Sequence, residues 1–175
     1  MVARVLVVCC EPLITLLHTC RPLLAGLGEA GASPVVRTLP WAGPTGTPRS
    51  PAPAREVPAA LDPDELAAAD GVVFATAGAT PHLASSAAAM LAGTARLWAA
   101  RQLEDRVVTG FTTAEGPAGE EVLSGLLRAA CHWGSVLLPG PRPGAADPAA
   151  LRALGVRMGG LAALAPSRAM AAQAT

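Results

Sequence analysis

Apolar positions along this chain switch between two periods. Val2 to Cys9 is a continuous run of β-branched and apolar residues, the pattern of a strand covered on both faces. From Pro12 the period lengthens: Leu13, Leu16, Leu17, Leu23, Leu24 and Leu27 recur at helical spacing until Gly28 and Gly31 stop the run. Pro22 lies inside it and predicts a kink or a break. Ser33 to Leu39 predicts a second short strand. Prolines at 40, 44, 48, 51, 53 and 58 then mark residues 40–60 as a loop within one domain. Asp62 and Pro63 open a short helix, and Gly71 to Thr76 is a third buried strand. A long Ala-rich helix is expected over Pro81 to Ala100, a strand over Val107 to Thr112 and a helix over Glu120 to Trp133. A strand over Ser135 to Leu138 and a last helix from Asp147-Pro148 to about Leu164 complete the pattern.

Five buried strands alternating with five helices predict an α/β fold, a parallel sheet with helices on both faces. In such folds ligands sit beyond the carboxyl ends of the strands, so three loops matter most: Cys10–Thr15, Ala77–His82 and Thr113–Gly119. The 175 residues fit a single domain over 1–165 with a frayed tail over 166–175.

Composition narrows the function classes. Thirteen acids balance thirteen bases and no window concentrates Arg, so a nucleic-acid partner is not expected. The longest apolar run, Val5 to Cys10, is far short of a bilayer span, and the N-terminus does not read as a signal peptide. The expectation is a cytoplasmic, soluble chain with no membrane partner. All the bases are Arg, which removes Lys as a Schiff base or buried general base; GC-rich coding bias explains the skew. Cys9, Cys10, Cys20 and Cys131 show no metal-binding spacing and read as structural thiols.

The loops and their flanks carry a family likeness. ELAAADGVVFAT followed by SSAAAMLAGTARLWAARQL resembles the stretch of the WrbA-type NAD(P)H:quinone oxidoreductases that runs from a strand ending in GTP(T/R)FGN through a helix ending in GGLW. RVVTGFTTAEGPAGEEV resembles their strand and Gly-rich loop FTSTG…GGQE, and Cys131-His132-Trp133-Gly134 lies over their His-His-Gly-Met. The opening ARVLVV aligns as well, so the likeness spans most of residues 3–164. It implies a flavodoxin-like three-layer sandwich with a five-stranded parallel sheet in the order 2-1-3-4-5. It further implies FMN, NAD(P)H as the electron donor, a quinone acceptor, and a homodimer or homotetramer in which Trp98 approaches a neighbouring subunit's flavin.

Departures from the family fall on the chemistry. Where its first loop reads S-x-Y-G-H around the FMN phosphate, this chain has Glu11, Pro12, Leu13, Ile14 and Thr15. Glu11 replaces a hydroxyl with a carboxylate that repels a dianion, Pro12 removes an N–H donor and Ile14 fills a glycine's place. FMN bound in the family manner is therefore disfavoured, and NAD(P)H is expected only if FMN binds. The second loop becomes Ala77, Gly78, Ala79, Thr80, Pro81 and His82, losing the aromatic and the Asn beside the flavin. The third keeps Thr112, Thr113, Gly116 and Gly119 but carries Ala114 and Glu115. A Gly-rich roof segment is missing between Gly140 and Asp147.

The vacated crevice is expected to take a quinone-like or polycyclic aromatic molecule, with Glu11, His82 and His132 as the candidate acid–base residues. Each also has a structural reading. Glu11 can be a helix cap, His82 a surface residue and His132 a packed helical histidine, while Trp98 can stack on a ligand or fill an oligomer seam. The two other functional readings are an FMN-dependent NAD(P)H:quinone reductase and a non-catalytic oligomeric partner or regulator.

Overall fold

The computed structural model describes residues 2–11, 14–39, 58–78 and 85–164. Five strands, β1 (Arg4–Cys9), β2 (Ser33–Thr38), β3 (Gly71–Thr76), β4 (Val107–Thr112) and β5 (Val136–Leu137), form one sheet. Its order is β2-β1-β3-β4-β5 with every neighbouring pair parallel. This is the order that the family resemblance implies.

The strand alternation of β1 divides the core in two. Val5, Val7 and Cys9 face one cluster, while Leu6, Val8 and Cys10 face the other, which also keeps the adjacent thiols apart. Helices α1 (Ile14–Thr19), α2 (Arg21–Glu29) and α7 (Pro148–Leu164) cover the first face. The second is covered by α3 (Pro63–Ala68), α4 (Ser85–Gly93), α5 (Ala95–Ala99) and α6 (Pro117–His132). Phe74 and Trp133 pack in this second cluster with ring centroids 6.4 Å apart. Strands β3 and β4 are buried along their whole length.

The break expected at Pro22 is present: the first helical run divides at Cys20, and Pro22 falls in the first turn of α2, where a missing N–H is tolerated. Other local expectations change in the structure. The Ala-rich run divides at Thr94, whose buried hydroxyl donates to the Leu91 carbonyl at 2.6 Å. That bond offers the backbone an alternative to continuing the helix. Helix α6 starts at Pro117, three residues early, because Gly116 takes a left-handed turn (φ 74°) and Pro117 presets the first helical φ. β5 is not a buried strand: it is a two-residue edge with Val136 and Leu137 exposed. β2, the opposite edge, is largely half-buried; Pro34 withdraws one N–H from it, and Ala60 pairs with Thr38. Most of the Pro-rich loop and the C-terminal tail lie outside the described residues.

A belt of charge ties α3 to the sheet. The Arg37 guanidinium grips Glu65 through Nε (2.8 Å to Oε2) and Nη2 (2.7 Å to Oε1), and Arg4 Nη2 adds a contact at 3.2 Å. Glu65 also closes a capping box with Asp62. The hydrogen bonds from Arg37 hold the Glu65 carboxyl below its ordinary value of 4.5, against the opposing effect of burial. A carboxyl lowered in the folded state stabilises above its unfolded value, and that stabilisation fades as the pH falls through the folded value. Glu65→Gln is expected to lower stability by about 1–2 kcal/mol at neutral pH. Urea titrations from pH 7 downward should show the gap narrowing below about pH 4.5; a gap independent of pH would exclude the charge as its source.

Candidate functional site

β1 passes to α1 and α2 on one face, and β3 passes toward α4 on the other. The carboxyl ends of β1 and β3 therefore bound the crevice where the winding of the sheet reverses. The Cys10 N–H donates to the Ala75 carbonyl at 2.8 Å, carrying the pairing past the end of β1 and setting Glu11 against the last residue of β3.

Glu11 bridges the crevice. Its Oε1 accepts from the Thr76 hydroxyl at 2.8 Å, and its Oε2 accepts from the Ala77 amide at 3.0 Å. Both acceptor oxygens point at β3, so the helix-cap reading of Glu11 gives way to a cap on the end of a strand. The same Thr76 hydroxyl oxygen accepts from the Gly78 amide at 3.1 Å, and Thr112 repeats the motif on β4 by accepting from the Ala114 amide at 3.1 Å. The Thr113 amide donates to the Thr76 carbonyl at 3.0 Å, tying the second and third loops together.

These loops pack closely. Gly78 (φ 59°) lies so near the third loop that a Cβ there would stand 2.6 Å from the Ala114 Cβ and 3.6 Å from the Gly119 Cα. Gly119 is buried, whereas Thr113, Glu115 and Gly116 are exposed. The short segment after β5 folds over this end: Gly140 rests on the Gly110 carbonyl, and a Cβ on Gly144 would stand 3.0 Å from the Glu115 Cγ.

The thiols beneath are held protonated. Burial first, then the Glu11 charge, push the Cys10 thiol well above its ordinary value. Cys9 is raised by its hydrogen bond with Cys20, whose Sγ lies 3.9 Å away, and by burial. Neither offers a thiolate to a ligand.

The structure does not gather all the sequence-derived candidates in one place. His132 is the last residue of α6, a helix of 16 residues, about 24 Å long, that starts beside the crevice and runs back toward the amino ends of the strands. Its imidazole stacks on Trp98 (centroids 4.7 Å, 25° between planes), and the Trp98 indole donates to the His132 carbonyl at 3.0 Å. Both residues are exposed, and the end of α6 lies beside the residues that precede β4 and β5, at the amino ends of the strands, whereas Glu11 follows the carboxyl end of β1. Within one chain His132 and Glu11 are therefore not an acid–base pair. Thr15 is exposed on α1. Pro12, Leu13, Ala79, Thr80 and His82 lie outside the described residues, as does the side chain of Ile14. Thr76 went unnoticed in the sequence, although a threonine ending both central strands was a visible signal.

A cavity opens at the same end of the sheet. It measures about 240 Å³ and is lined by Leu39, Leu61, Pro63, Ser86, Ala89 and Met90. Leu39 follows β2, Pro63 begins α3 and Ser86 belongs to the first turn of α4. The Ser86 hydroxyl is buried without a hydrogen-bond partner among the described residues. Among the described residues no group of three metal-ligating side chains occurs, and no helix is long and apolar enough to cross a membrane.

No protein-family model and no curated protein matches the sequence. Solved structures do match. A flavodoxin, WrbA-like protein from Agrobacterium tumefaciens superposes with a TM-score of 0.68 at 15% identity, covering 93% of this chain and 99% of the other. The fold is flavodoxin-like. A flavodoxin from the domain Archaea gives a TM-score of 0.60 at 11% identity over 91% of this chain and 99% of its own. An oxidoreductase from Corynebacterium diphtheriae gives 0.54 at 18% identity over 94% and 98%. At these identities the likeness establishes the flavodoxin-like fold and leaves the WrbA family as a resemblance.

Proposed function

We propose that this flavodoxin-like chain is a relative of the quinone oxidoreductases that binds a quinone-like or polycyclic aromatic molecule without holding FMN in the family manner. The observation that carries the reading is the Glu11 bridge. The Thr76 hydroxyl and Ala77 amide, donors at the switch point, are already given to a carboxylate. A phosphate dianion arriving there would have to displace an anion bonded twice, or sit beside it. The packing of Gly78 on Ala114 and Gly119 leaves little separation between Gly78 and the third loop. FMN does not fit these residues.

The neighbouring cavity supports the choice of ligand. At about 240 Å³ it exceeds the roughly 150 Å³ that admits a benzene ring. Its described walls are apolar apart from the Ser86 hydroxyl, which has a hydrogen bond to offer a quinone carbonyl. Any proton transfer within one chain rests on Glu11 and on His82, which precedes α4 in the sequence. The exposed Trp98–His132 stack is the surface we assign to contact between copies, in a homodimer or homotetramer.

Titrating the purified chain with FMN and, separately, with a neutral naphthoquinone tests the reading. Saturable naphthoquinone binding, lost when Ser86 and Ala89 are replaced by larger side chains, is the expected result, with FMN bound no tighter than about millimolar. Micromolar FMN binding would overturn it and assign an NAD(P)H:quinone reductase. Binding of neither ligand would leave the partner or regulator reading.

A further inference from the structure

A second concave surface lies at the outer edge of the sheet, between β2 and the helices behind it. Here Leu17, Leu24, Val36 and Pro58, with His18 and Arg21, line a cleft of about 520 Å³. That volume falls within the roughly 300–1,000 Å³ typical of small-molecule sites.

The sequence builds this wall by helical spacing. Cys20 N–H donates to the Leu16 carbonyl and Leu24 N–H to the Cys20 carbonyl, both at 3.0 Å, so the helical hydrogen-bond pattern continues across the junction of α1 and α2. Leu17, Arg21 and Leu24 thereby share one stripe at i, i+4 and i+7. Leu17, Leu24 and Val36 rest on the core only in part and leave apolar surface on the cleft. Arg21 is exposed and makes no hydrogen bond or ion pair among the described residues, whereas Arg4, Arg37, Arg96 and Arg152 each hold an acid.

We infer that this cleft binds a small amphiphilic carboxylate, its head on Arg21 and its aliphatic or aromatic body on Leu17, Leu24, Val36 and Pro58. The planar guanidinium offers two parallel N–H donors to a carboxylate, and His18 beside it offers a ring nitrogen to the same head. The apolar wall supplies affinity, and the cation selects an acid over the matching alcohol. The lining shares no residue with the Glu11, Thr76 and Ala77 bridge.

Calorimetric titration of the intact chain with decanoate, and with decanol as its uncharged partner, tests this. Decanoate should saturate one site and bind roughly tenfold more tightly than decanol. Arg21→Gln should abolish that preference, Arg21→Lys should keep part of it, and Leu24→Ser should weaken both ligands by about tenfold. An unchanged melting temperature for the exposed Arg21 variants separates lost binding from lost fold. Decanoate that fails to saturate, or that ignores both Arg21→Gln and Leu24→Ser, overturns the proposal. So does binding that emerges only when residues 40–57 are replaced by a Gly/Ser linker of equal length, since the chain's own segment would then be the occupant.

Discussion

Replacing Gly155 by alanine should destabilise the protein by about 2–4 kcal/mol, whereas the same change at Gly160, in the same helix, should stabilise it by about 0.5–1 kcal/mol. The difference comes from what each residue faces. A Cβ on Gly155 would be driven into the Leu23 carbonyl and stand 2.9 Å from the Leu27 nitrogen; one on Gly160 meets nothing within 4 Å. Gly26 makes the reciprocal approach from α2, where a Cβ would run into the Arg152 carbonyl. The two helices therefore touch backbone to backbone, and both partners are rigid hydrogen-bonded main chain. The contact must open, pulling Leu23, Leu27, Leu151 and Leu154 apart. At Gly160 only the helix propensity changes. For a chain of this size the pair should appear as a fall of about 4–16 °C and a rise of about 1–4 °C in melting temperature. Equal effects of one sign at both sites would refute the close crossing.

That crossing was only half legible in the sequence. The leucine stripe of α2 and the existence of α7 follow from spacing, but which glycines meet a backbone depends on how two helices cross, and spacing does not encode that. The central strands were legible for a stronger reason. Val5–Cys9, Gly71–Thr76 and Val107–Thr112 are covered on both faces, so nearly every side chain must be apolar and the signal is continuous. β5 misled because Val136 and Leu137 read as buried yet sit on an open edge; periodicity distinguishes faces, not edges. The break near Cys20 was announced by Pro22, whereas the one at Thr94 was not, because spacing does not show which threonine will turn its hydroxyl onto the preceding carbonyl.

The site divides the same way. Glu11 was singled out because a carboxylate stood at a loop matched to a phosphate-binding turn. Its partners were not foreseen, because they lie 65 and 66 residues away, at and just past the end of β3, and meet it through the parallel register that pairs Cys9 with Ala75. His132 was placed near the crevice by its position in an aligned motif. A helix that leaves the crevice and ends beside the amino ends of the strands carries its last residue away from the loop at its start. Linear proximity to a motif is a poor guide to which end of a sheet a residue occupies.

Glu11→Thr should convert the crevice from one that repels an anion into one that accepts it, raising affinity for FMN at least tenfold. Two charges about 4 Å apart interact by roughly 4 kcal/mol at an effective dielectric of 20, so even after heavy screening more than about 1.4 kcal/mol, a factor of ten, remains. The substitution also returns the Ala77 amide and the Thr76 hydroxyl to an incoming phosphate. The same loss of a charged acceptor should cost the unliganded protein about 1–3 kcal/mol, because both donors are part-buried. Gain of binding and loss of stability must therefore appear in one variant. Glu11→Asp keeps the charge and should gain no affinity, which separates electrostatics from the mere loss of side-chain bulk. Pro12 still withholds one N–H in every variant, so the affinity reached stays below that of a complete phosphate loop. Quenching of flavin fluorescence reads the binding and urea titration reads the stability. If Glu11→Thr folds and binds FMN no better than the parent chain, the carboxylate is not what keeps the nucleotide out.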